Sequence, residues 1–67
     1  MAERVYKMIE LVGCSSASYE DAIEKAIHKA EGTLEDLAWW EVEELRGGIA
    51  GGELEYQARL RVAFKLH

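Results

Sequence analysis

ELEYQARLRVAFKL, residues 53–66, carries the cleanest pattern in the chain. Leu54, Tyr56, Ala58, Leu60, Val62, Phe64 and Leu66 hold every even position. Glu53, Glu55, Gln57, Arg59, Arg61 and Lys65 hold odd ones, and Ala63 alone breaks the rule. Successive side chains on a strand point to opposite faces, so this segment reads as a strand with one apolar and one polar face. Before it, GGIAGG at 47–52 reads as a flexible hairpin connection. Its four glycines do not suit a phosphate loop, because no strand–loop–helix arrangement surrounds them. Leu37 to Arg46 is then the preceding strand, antiparallel to 53–66.

Further upstream the period changes. Ala22, Ala26 and Ala30 form one i, i+4 row, and Ile23 and Ile27 form the row beside it, with Glu20, Glu24, Lys25, His28 and Glu31 opposite. Ser18 and Asp21 have capping-box spacing, and Gly32 is placed to stop the helix at a C′ position. A stripe of alanine and isoleucine lets a helix lie close against a sheet. Residues 3–12, ERVYKMIELV, form the first strand; Gly13 ends it, and Cys14, Ser15 and Ser16 turn the chain. The expected fold is α+β, in the order β-α-β-β. A three-stranded antiparallel sheet curves around one helix, and residues 1–67 form a single domain.

A chain of 67 residues buries too little surface to be comfortable alone. One cysteine excludes an internal disulfide, and Cys14, His28 and His67 have no metal-site spacing. Oligomerisation is the remaining remedy. A net charge of −5 argues against nucleic acid. There is no apolar run long enough to span a membrane and no secretory leader pattern, so a reducing cytoplasm is the expected location. No nucleophile has a base beside it in sequence. Ser15 and Ser16 suit turn and cap positions, and Glu41 and Glu43 suit charge spacing on an outward face.

Trp39 and Trp40 are adjacent on the second strand, so they face opposite ways. Ala38, Trp40 and Val42 share the apolar face, which makes Trp40 the core candidate. Trp39 shares the other face with Glu41 and Glu43. Covering an exposed indole is worth roughly 4–6 kcal/mol at most, so a partner chain or a flat ligand is expected over Trp39. Gln57 lies on the corresponding face of the last strand, where its amide offers a donor and an acceptor to a heterocycle edge. The competing reading is that Trp39 packs protein on protein and Gln57 is simply solvated.

VYKMIELVG, A-x-x-T-L at the helix end, WWEVEELRG, EYQ and VAFKL together resemble the dodecins, small flavin-binding proteins. The similarity spans nearly the whole chain. It implies a hollow shell of twelve chains in which two flavins stack between two symmetry-related tryptophans. The stacking tryptophan maps to Trp39, and the glutamine that binds the flavin edge maps to Gln57. Arg46 maps to an arginine associated with the flavin site, and Leu45 and Gly47 flank it as lining positions. The resemblance also implies coenzyme A as a second ligand, with Arg4, Tyr6, Lys29, Thr33 and Lys65 as candidate contacts. The implied role is storage and photochemical quenching of FMN, riboflavin or FAD rather than catalysis. A small flavin-dependent oxidoreductase and a ligand-free structural oligomer are the alternatives. Cys14 departs from the threonine or serine usual at its position, and Glu35 stands where some members carry a basic residue.

Overall fold

The computed structural model describes residues 3–67. In chain order these form β1 (Tyr6–Ser15), α1 (Tyr19–Glu31), β2 (Leu37–Ala50) and β3 (Glu53–Lys65). The sheet order is β1-β3-β2 with both pairings antiparallel, so the strongly alternating β3 is central. The β-α-β-β arrangement expected from the sequence is the one observed.

β1 starts at Tyr6 rather than at residue 3, and two strands run on past their expected ends because a glycine does something other than end a strand. β1 runs through Gly13 and pairs Cys14 with Gln57 and Ser15 with Tyr56. Gly13 marks the closest approach of the helix. A Cβ there would sit 2.1 Å from the Ala22 carbonyl oxygen and 3.0 Å from the Ala26 Cβ. Cys14 and Ser15 are therefore strand residues and not a turn. β2 continues four residues past Arg46, with Gly47 paired to Tyr56 and Gly48 to Glu55. The hairpin closes on Gly51 and Gly52 alone, at φ 58° and 82°. Positive φ at both central residues suits the twist of the flanking strands, and glycine reaches it without strain.

The helix caps also differ in detail. Ser18 accepts the Asp21 N–H at 3.0 Å, as its spacing predicts. Asp21 does not reach back to Ser18. Its carboxylate accepts the Ser15 hydroxyl at 2.6 Å, and Ser15 Oγ in turn accepts the Ala17 N–H at 2.9 Å. The buried serine at the end of β1 thus takes the acid that a capping box would have used, and ties strand to helix. At the other end Gly32 keeps right-handed geometry, φ −72° and ψ −18°, and is not a left-handed C′ glycine. The left-handed position is Asp36, φ 57°, just before β2. Its carbonyl accepts the Lys65 N–H at 3.0 Å.

Ala22, Ala26, Ala58 and Leu60 form the buried centre, with Leu11, Ile23 and Ile27 packed against it. The helix rests chiefly on β1 and β3. An α-helix is about 10–12 Å wide with its side chains, while strands lie about 4.8 Å apart, so one helix covers roughly two strands. β2 is the strand left over. Trp40 shares the helix-side face with its buried partner Val62, yet remains 48% exposed. Val42, Leu45 and Ile49 on the same face are exposed too. Trp40 is therefore not a core residue of the single chain, and the helix is seated mainly over β1 and β3.

Gly13→Ala should destabilise the fold by about 1–3 kcal/mol or more, because its methyl meets helix backbone that cannot rotate away; urea unfolding measures this. The Ser15 hydroxyl first, and the Lys25 ammonium second, hold the Asp21 carboxyl below its ordinary 3.8. A depressed carboxyl pKa stabilises the fold fully above that ordinary value, and the contribution is lost as pH falls through the lowered one. The difference in thermal midpoint between wild type and Asp21→Asn should thus be constant near neutral pH and shrink below about pH 4.

Candidate functional site

The face of the sheet away from the helix carries Trp39, Gln57 and Arg46. Trp39 pairs with Ala63, so its indole lies on this outer face and is 43% exposed. Its Nε1 donates to Glu41 Oε2 at 3.0 Å, which fixes the ring's tilt. Tyr6 meets it edge to face, with ring centroids 4.8 Å apart at 64°. Tyr6 pairs with Lys65 and Trp39 with Ala63, so the two rings lean together across β3 over the fully buried Ala63. The one break in the alternation of β3 is the small apolar floor beneath an aromatic pair.

Two bulges set the face of everything along β2. The register slips between Leu37 and Trp39, and again between Val42 and Glu44. Arg46 is seven positions from Trp39, and an unbroken strand would put the two on opposite faces. The extra residue at Glu43 reverses this. Glu44, Arg46 and Gly48 then pair with Arg59, Gln57 and Glu55 on the outer face. Bulges add one unpaired residue and so re-aim everything beyond them.

Gln57 is held from both sides. Arg46 Nε donates to Gln57 Oε1 at 2.6 Å, and Gln57 Nε2 donates to Glu55 Oε1 at 2.7 Å. The amide lies over Gly48, where a Cβ would stand 3.1 Å from Gln57 Nε2. A side-chain amide has two donor and two acceptor positions, so these two bonds leave one of each free. Around it runs a chain of ion pairs. Arg46 Nη1 is 3.7 Å from Glu44 Oε1, Arg59 Nε is 3.6 Å from the same oxygen, and Arg59 Nη1 is 3.5 Å from Glu10. Such exposed pairs contribute less than about 1 kcal/mol each, so their role is to orient Arg46 and through it the amide.

Trp39 and Gln57 share a face but not a site within one chain. Their partner positions on β3, Ala63 and Gln57 itself, are six residues apart, or about 20 Å at strand rise. Leu45 and Gly47, expected beside Arg46 as lining residues, are its immediate neighbours on the strand and so lie on the opposite, helix-side face. The remaining candidates divide in the same way. Tyr6 and Lys65 pair on the outer face. Lys29 and Thr33 line a groove of about 590 Å³ between α1 and β1, floored by Ile9, Leu11, Ala26 and Ala30. Arg4 is exposed ahead of β1. Cys14, read from sequence as a turn residue, is exposed on the outer face opposite Gln57. Its pairing depended on β1 extending past Gly13, and no local signal marked that.

A family model described as Dodecin matches residues 5–67. The chain belongs to the dodecin family. It is 48% identical over 64 residues to a dodecin from Thermus thermophilus, covering 94% of this chain and 93% of that one. It is 32% identical over 63 residues to a calcium dodecin from Mycobacterium tuberculosis, covering 92% and 89%. Among solved structures, a dodecin from Streptomyces davaonensis superposes with a TM-score of 0.91 at 33% identity, covering 98% of both chains. No helix among the described residues is long and apolar enough to cross a membrane.

Proposed function

We propose that this dodecin binds and stores flavin, as FMN, riboflavin or FAD, at a site made only when copies of the chain assemble. The supporting observation is the placement of Trp39: a half-exposed indole held by a T-shaped contact with Tyr6 and a hydrogen bond to Glu41, on the same face as the Gln57–Arg46 pair but about 20 Å away. One flat tricycle cannot lie on that indole and reach that amide in one chain. A two-fold axis that brings Trp39 of one copy against Gln57 and Arg46 of another solves the geometry, and it places two indoles around a pair of stacked rings. The free donor and acceptor of Gln57 match the alternating donor and acceptor atoms of a flavin's pyrimidine edge. Stacking contributes roughly 0.5–1.5 kcal/mol per aromatic contact beyond area burial.

The twelve-chain shell follows as the proposed assembly, one domain per chain, working in the cytoplasm. The exposed apolar face of β2 is what its contacts would bury. Coenzyme A is a second proposed ligand. Tyr6 and Lys65 of one copy and Lys29 and Thr33 of another would have to meet at a contact between chains, with Arg4 at its edge. Storage is favoured over oxidoreductase chemistry because a stacked flavin leaves no room for a substrate over its ring. Among the described residues of one chain, no group of three or more His, Cys, Asp or Glu is placed to hold a metal.

Titrating flavin into the purified protein should quench its emission strongly, since an indole in contact with the ring donates an electron to the excited state. Trp39→Ala should weaken binding by about 2 kcal/mol or more, as for a stacked aromatic anchor, and restore emission. Brightly fluorescent bound flavin, or binding indifferent to Trp39→Ala, would overturn the proposal. Deleting Glu43 should remove the bulge yet leave Arg46 paired with Gln57 on the outer face, now six positions from Trp39, so flavin binding should survive while circular dichroism still reports the strands.

A further inference from the structure

The register of β1 places a third residue beside Gln57 and Arg46. Cys14 pairs with Gln57 from one side, and Arg46 pairs with Gln57 from the other. The three form a single row across the outer face. Directly opposite residues on antiparallel strands have Cβ atoms about 4.5–5.5 Å apart, so the sulfur lies one side chain from the amide. The thiol is exposed. No strand pairs with the other edge of β1, so nothing in the sheet covers it from that side. What points to a ligand here is the amide, anchored through one donor and one acceptor and left with one of each unfilled over a glycine that keeps the space clear.

We propose that Cys14 completes the ligand-contacting row Cys14–Gln57–Arg46, its thiol packed against the same flat heteroaromatic ligand whose edge the Gln57 amide binds. The proposal rests on the flavin reading above and adds to it a residue that controls access. A small, polarizable sulfur fills the gap beside a planar ring without competing for its hydrogen bonds. A bulky group on that sulfur occupies the ring's place. Ligand and modification at Cys14 therefore exclude each other. The thiol takes no part in chemistry on the ligand; it is a contact and a gate.

The chain has one cysteine, so a thiol reagent reports on this position alone. The oligomer is prepared flavin-free and flavin-loaded, and each is reacted with a disulfide reagent that releases a coloured thiolate. The flavin-free form should react readily, and saturating flavin should slow it by about tenfold or more. Prior alkylation with N-ethylmaleimide should weaken flavin binding by at least about tenfold in the wild type. Cys14→Ser has no thiol to alkylate, so the same treatment should cause no further change in its flavin affinity. If wild type binds flavin through Trp39 but Cys14 reacts equally fast with and without it, the inference fails and the flavin reading stands. A thiol that is unreactive even in the flavin-free oligomer also overturns the inference, because protein then covers it. If no flavin binds at all, the failure lies with the flavin reading.

Discussion

One helix can cover two strands, and this sheet has three. The close contact that seats the helix is narrow: Gly13 against the Ala22 carbonyl, then Ala26, Ala58 and Leu60. With a glycine in the strand and alanines on the helix, the backbones approach further than larger side chains would permit, and α1 is fixed over β1 and β3. Everything about β2 follows from that seat. It is the longest strand, and neither of its tryptophans is buried, because α1 rests chiefly on β1 and β3. A small domain would ordinarily spend its largest apolar side chains on its own core. Here they lie on the strand that overhangs it, where a second copy can use them.

The two faces of β2 then have different consequences. On the helix side, Trp40, Val42, Leu45 and Ile49 form an apolar stripe suited to protein contact. On the outer side, the Glu43 bulge gathers Arg46 next to Gln57, and the Tyr6–Trp39 pair stands at the far end of the sheet. The outer face is thus laid out as two half-sites, an aromatic platform and a polar edge-binder, separated by more than a small ligand can span. In a two-fold arrangement such separation is useful: each copy contributes one half to each of two sites. The ion pairs along Glu10, Arg59, Glu44 and Arg46 matter less for their energy than for keeping the guanidinium on the amide.

Much of this is legible in the sequence. The period-2 pattern of β3, the period-3.6 stripe of α1 and the hairpin order are local signals, and they led to the right element order and to the outward side for Trp39. Three things were not local. Gly13 looked like punctuation but is a packing position, which only the neighbouring helix reveals. The bulge at Glu43 leaves no mark in a run of acids and apolar residues, so the faces of Leu45, Arg46 and Gly47 could not be assigned. Trp40 looked like core because its neighbours on one face are apolar, but apolar patterning does not say whether the cover comes from the same chain. Cys14 entered the outer face for the same reason that Gly13 stayed in its strand.

The central claim is that aromatic platform and polar edge belong to different copies within one ligand site, and intersubunit complementation tests it. Trp39→Ala and Gln57→Ala chains are first shown to bind flavin poorly when each is assembled alone. They are then unfolded, mixed in equal amounts and reassembled, and flavin emission quenching is measured. A shared site predicts recovery of about a quarter of the wild-type sites, those that draw an intact Trp39 from one chain and an intact Gln57 from the other. No recovery above the two parent assemblies would contradict it.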